Sequence, residues 1–283
     1  LLMDDDGPSP AFSANFMSGS LPAGLTYTNS STTRTYFASS GLIATAAANA
    51  PIFEYNPVTL ALLGMRWEME QRTNLLLRSQ EIDNASWIKV ASTVSANAIA
   101  SPDGTANAES VIEDASTASH GIRQDITTSA ATYTFSVFLK ASGRNWVLLH
   151  NTTANYYAYF DISNGAVGIT LGTSSASITP VGGGWYRCSI SGAATAESNA
   201  FRIYSATSNG VSSYLGNGLS SFYAWGAQLE AGASASSYIP TAGAAVTRQP
   251  DVLTATSISP WFNASEGTVV FEGIASTPAT AQR

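Results

Sequence analysis

A chain of 283 residues has room for one large β domain or two of ordinary size. Only 11% of residues are charged while 45% are hydrophobic, which excludes the disordered class and argues against long solvent-exposed helices with Glu- and Lys-rich outer faces. A net charge of -7 with no Lys/Arg cluster excludes general nucleic-acid binding. No run approaches the roughly 18 apolar residues of a membrane span, so no membrane insertion is expected.

In chain order, the opening "LLMDDDGPSP" lacks the basic and apolar regions of a signal peptide. The limits of the chain read as those of a fragment or of an ordered region. Asp4 to Gly7 has the acidity of a calcium loop without its spacing, and reads as an acidic terminus. Residues 1–73 are turn-rich, short of periodic segments and extended, as expected of a segment lying over a neighbouring surface or partner chain. Within them Met65, Trp67 and Met69 alternate with Arg66, Glu68 and Glu70, a strand pattern with its charges on one face. A boundary is expected near Arg72 to Asn74.

Residues 74–247 carry period-2 alternation. Tyr133, Phe135, Val137 and Leu139 share a face, as do Tyr156, Ala158 and Phe160, with Tyr157 and Tyr159 opposite. Tyr186, Cys188 and Ile190 oppose Trp185 and Arg187, and Phe201 and Ile203 oppose Arg202 and Tyr204. Tyr223, Trp225, Ala227 and Leu229 are expected to share the core face of the closing strand. "SPDG", "ISNG", "VGGG", "SNG" and "GNG" supply the turns. The pattern predicts an all-β fold, an antiparallel β-sandwich of jelly-roll type. A second boundary is expected near Thr247 to Asp251, giving a linker and an incomplete strand pattern over 248–283.

The ordered blocks "SGSLPAGLTYTNSSTTRTYFASSGLIATAAANAPIFEYNPVTLALLG", "EQRTNLLLRSQEIDNASWIKV", "YTFSVFLKA", "GWYRCSI", "AWGAQLEAG" and "SYIPTAGAAVTRQPDVL" resemble a module of tailed-bacteriophage and prophage structural proteins. The resemblance implies a virion setting (tail fibre, tail tip or head fibre), an N-terminal segment for attachment or oligomerisation, and a central carbohydrate-binding-module-like jelly roll. It also implies a concanavalin-like β domain beginning in "NASEGTVVFEGIAS". Partners implied are other virion proteins and copies of the chain itself, a trimer foremost, with host-surface glycan as a further ligand.

Catalysis is not expected. His120 and His150 lie in different segments, and Cys188 alternates with apolar residues, as a buried inert thiol does. Being the only cysteine, it can form no internal disulfide. The MRWEME glutamates are expected to pair with Arg66 and Arg72 rather than to form a glycosidase pair. Sugar binding needs aromatic faces and planar hydrogen-bonding groups, and Tyr157, Tyr159, Trp185, Arg187, Arg202 and Tyr204 all lie opposite core-like faces. Trp146 joins this candidate set, although "NWVLLH" alternates too poorly to fix its facing. The same residues suit a subunit interface, where aromatics and Arg are enriched, and for most of them that reading stands slightly ahead. Jelly rolls of the carbohydrate-binding kind often carry a structural calcium, for which the resemblance points to Glu81, Asp83 and Glu230. Open functional alternatives are a host-receptor lectin and the non-catalytic part of a depolymerase spike.

Overall fold

The computed structural model describes residues 12–255 and, beyond them, residues 258, 262, 265 and 268. The acidic stretch Asp4 to Gly7 and the expected start of a further β domain therefore lie, save for isolated positions, outside the described residues. The N-terminal part forms β1 (Leu25–Thr28), β2 (Thr35–Phe37), β3 (Ile43–Thr45), β4 (Ile52–Tyr55), β5 (Leu62–Arg66) and β6 (Arg72–Asn74). Then come β7 (Ile88–Val90), β8 (Ser92–Ile99), β9 (Ala108–Glu113), β10 (Thr117–Ala118), β11 (Gly121–Thr127), β12 (Ala131–Ala141) and β13 (Trp146–Asn151). These continue into β14 (Tyr156–Asp161), β15 (Ala166–Leu171), β16 (Ser175–Pro180), β17 (Trp185–Ala194), β18 (Ser198–Ala206), β19 (Tyr214–Leu215) and β20 (Ser220–Ala231). The last strands are β21 (Val246–Arg248) and β22 (Val252–Ala255). Among the described residues no helix occurs.

Two six-stranded sheets, β16-β17-β12-β20-β9-β8 and β15-β14-β13-β18-β11-β7, make an antiparallel β-sandwich of jelly-roll type. Their inner faces interdigitate as alternation requires. Phe135, Val137, Leu139, Cys188 and Ile190 come from the first sheet, and Val147, Leu149, Ala158, Phe160, Phe201 and Ile203 from the second. Phe135 and Phe201 meet across the gap at 5.6 Å between ring centroids.

The closing strand departs from the expected alternation. Phe222 and Ala224, not Tyr223 and Trp225, join Ala227 and Leu229 in the central core. The cause is a bulge. Ser136 lies opposite Gln228 but Phe138 opposite Trp225, and Gly226 takes up φ 63°. One extra residue reverses every facing before it. Trp225 and Tyr223 thereby turn to the outer face of the first sheet, beside Phe138, Trp185 and Tyr238.

That outer face is roofed by the chain's own N-terminal part. Ile43 and Phe37 pack on the same cluster, and the Thr35 hydroxyl donates to the Tyr238 carbonyl at 2.5 Å. The expected strand over Met65 to Glu70 stops at Arg66. Glu70 pairs with Arg72 as expected, but Glu68 turns inward to accept from the Ser237 amide and hydroxyl and lies 3.5 Å from Arg248.

The boundaries drawn at 73/74 and 247/248 fall inside paired strands. β6 pairs with β21 and β1 with β22. A buried clasp sits beside them, with Asp251 accepting from the Tyr27 hydroxyl, from Asn29 Nδ2 at 2.7 Å and from the Glu68 amide at 2.7 Å. Arg34 reaches the Tyr27 hydroxyl at 2.5 Å.

Candidate functional site

Roofing one sheet leaves the outer face of the other, and strand register decides what stands there. On the central strand β13, Trp146, Leu148 and His150 point outward. Tyr159 lies opposite Leu148 and Tyr157 opposite His150 on one side. On the other side Tyr204 lies opposite Leu148 and Arg202 opposite His150. β11 continues the rows with Gly121 opposite Tyr204 and Arg123 opposite Arg202.

Glycines make room for the large rings. A Cβ on Gly121 would come within 2.7 Å of the Tyr204 ring, and one on Gly168 within 2.6 Å of the Trp146 ring. Leu148, Tyr159, Tyr204 and Ala206 form an apolar cluster against which Val90, Trp146 and Tyr157 pack. His150 meets Tyr157 edge-on at 5.3 Å, Tyr157 meets Tyr159 at 5.9 Å, and the Arg202 guanidinium lies 5.5 Å from the Tyr204 centroid.

Exposure sorts these residues by role. Tyr159 and Tyr204 are only 6% and 5% exposed, so they support the face. Tyr159 donates to the Ser212 hydroxyl at 3.2 Å, under the loop that follows β18. Trp146, Tyr157, His150, Arg202 and Arg123 are half-buried and carry the accessible surface. Burial lowers the His150 pKa, with the Arg202 charge acting the same way against a hydrogen bond with Asn155. Among the described residues His150 Nε2 and Arg202 Nε have no hydrogen-bond partner.

Five of the seven sugar candidates thus gather on one face: Trp146, Tyr157, Tyr159, Arg202 and Tyr204. Trp185 and Arg187 do not join them. Both sit on the first sheet, under the N-terminal roof. Trp185 is 4% exposed and donates to the Ala100 carbonyl. Arg187 donates to the Ser236 carbonyl at 2.7 Å and the Ser136 hydroxyl at 3.1 Å, with its guanidinium 5.3 Å from the Phe138 ring centroid. Alternation correctly placed them opposite the core; it could not say that their outer face would be covered. His150 and Arg123, outside the predicted set, complete the face, and only strand register reveals them.

The three calcium candidates are not brought together. Glu230 is fully buried and accepts from Gln228 Nε2, the Ser236 amide and the Ser236 hydroxyl. Glu81 pairs with Arg78 at 3.0 Å, and Asp83 lies beside Glu109, whose carboxylate accepts from its amide. No group of three or more His, Cys, Asp or Glu suited to a metal ion occurs among the described residues.

The nucleophile candidates are likewise dispersed. Cys188 is buried in the core, where burial pushes its thiol up. His120 is fully buried between the carbonyls of Ala91 and Tyr214, at 2.8 and 3.2 Å. His150 stands on the outer face, on the far side of the second sheet from Cys188.

No family model matches this sequence, and no curated protein does. Among solved structures, one similar chain is the Clostridium thermocellum N-terminal endo-1,4-beta-D-xylanase 10B, comprising CBM22-1 and GH10 modules complexed with xylohexaose. The identity is 16% and the TM-score 0.33, over 62% of this chain and 30% of that one. A likeness of that size defines no ligand for this chain, which spans less than a third of that protein's chain.

Proposed function

We propose that this protein is a non-enzymatic structural component of a bacteriophage particle, a tail fibre, tail tip or head fibre subunit. Its jelly roll offers the outer face of the β13 sheet to glycan on the host surface. The particle setting rests on the ordered sequence blocks. The glycan reading rests on one observation: one outer face of the sandwich is roofed by the chain itself, while the other carries Tyr157, His150 and Arg202 side by side and half-buried, with half-buried Trp146 beyond the Leu148 row. Sugar C–H faces stack on such rings, and guanidinium and imidazole groups read hydroxyls.

A glycan array probed with wild type and Tyr157→Ala tests it. Binding should fall about tenfold or more in the variant, the loss of one stacking contact of ~1.4 kcal/mol, with an unchanged melting temperature. Blank arrays with wild type would remove the glycan half of the proposal.

Assembly with copies of itself and with other virion proteins is the companion reading. It is favoured by the exposed Trp67 (46%), Met69 (69%) and Val252 (47%) next to the clasp. Light scattering should give an oligomer, a trimer foremost; a monomer at micromolar concentration would argue against self-assembly. Incubation with capsular polysaccharide should leave its chain length unchanged, because the protein is proposed to bind and not to cleave.

A further inference from the structure

The row crossing this face at the level of His150 is unusual in its charge. Arg202 lies between His150 on β13 and Arg123 on β11, each directly opposite it. Like charges opposite one another across a sheet destabilise it. Arg123 is answered by Asp125, whose carboxylate accepts from it at 3.0 Å. Arg202 has no such partner: among the described residues it forms no salt bridge, and its Nε is without an acceptor. Most other described arginines sit against a carboxylate, Arg34, Arg66, Arg72 and Arg144 among them. Arg202, over the Tyr204 ring and across β13 from Tyr157, is thus a cation without a carboxylate partner in a chain of net charge -7.

We infer that the ligand of this face is an acidic glycan, with an oxyanion of the sugar seated on the Arg202 guanidinium and the sugar ring against Tyr157. The inference rests on the glycan reading above and names its substrate class. A guanidinium fork matches the planar oxygens of a carboxylate and the oxygens of a phosphate better than it matches a hydroxyl pair. His150, kept neutral by burial and by the Arg202 charge, adds a hydrogen-bonding imidazole beside it rather than a second cation. Arg202 is then retained at a cost to the free protein and offset when the anion binds.

The test is binding of the intact chain to polygalacturonate, polysialic acid and a phosphate-linked teichoic acid, beside carboxyl-reduced polygalacturonate and dextran. At least one acidic polymer should bind about tenfold or more tightly than the neutral polymers, weaken as salt rises to about 0.5 M, and lose that advantage in Arg202→Gln. Arg202→Gln should melt no lower than wild type, because it removes a like-charge neighbour; Arg123→Gln provides a second variant on the same row. The carboxylate and phosphate polymers distinguish the source of the oxyanion. Equal binding of acidic and neutral polymers overturns the inference and leaves the glycan reading standing. So does acidic binding that survives both arginine variants. Failure of every polymer, acidic and neutral, overturns the glycan reading and the inference with it.

Discussion

Glu113 shows how a single buried carboxylate can organise loops. It is 1% exposed, and burial alone would raise its pKa. Arg144, the Tyr214 hydroxyl at 2.6 Å, the Asn217 amide at 2.9 Å and the Ser221 hydroxyl at 3.0 Å outweigh that and bring it down to about 2. Arg144 also lies over the Tyr214 ring. Glu113→Gln should therefore cost about 3 kcal/mol, measured by urea denaturation, because Arg144 is left without its counter-charge. Glu109 is the opposite case. Burial first, and Asp83 next, push it up to about 8. The two have opposite pH signs. The Glu113 contribution is full above the ordinary value of 4.5 and lost as pH falls through about 2. The Glu109 contribution is full below 4.5 and lost as pH rises through about 8. Glu109→Gln should match wild type in melting temperature at about pH 4.5 and exceed it at about pH 8.5, since the amide needs no proton to stay neutral. Identical melting curves at both values would refute the assignment. Neither network was legible in the sequence, since the partners of Glu113 come from separate loops at separations of 31 to 108 residues.

At the scale of the strand, alternation was a sound guide wherever pairing is regular. β14, β17 and β18 face as their period predicts, with Cys188 inward and Arg202 outward. It failed at β20 because a bulge shifts the phase, and "YAWGAQL" contains a period-2 reading that runs straight through it. The glycine was the available signal. Gly226 holds a left-handed φ of 63°, and a Cβ there would come within 2.9 Å of the Phe138 ring. Gly226→Ala should lose about 2–4 kcal/mol, combining left-handed strain with overpacking. If its urea midpoint equals that of wild type, the bulge is not what orients Trp225. The same limit explains the sugar candidates: period 2 says which residues oppose the core, but not which outer face a distant segment will cover.

At the scale of the whole molecule, the N-terminal segment was expected to cover a surface. The surface it covers here is its own first sheet, and it is sewn in by pairing with residues 246–255. This pairing predicts that the roof and the sandwich unfold together. Asp251→Asn should lower stability by about 3 kcal/mol by leaving Arg34 buried without its anion. Thermal unfolding should appear as one transition, coincident by tryptophan fluorescence and far-ultraviolet circular dichroism. Two separated transitions would show that the roof and the sandwich are independent.

The clasp also sets a schedule for synthesis. Tyr27 and Asn29 find Asp251 across 224 and 222 residues of chain, so the first strands made must wait for some of the last. At translation speeds of about 5–20 residues per second, that wait is on the order of ten to forty seconds. During it, β1 lacks its partner strand on the ribosome, where a second nascent chain can supply one. A protein made in many copies from one message would meet that hazard often, and slower elongation late in the message would prolong it.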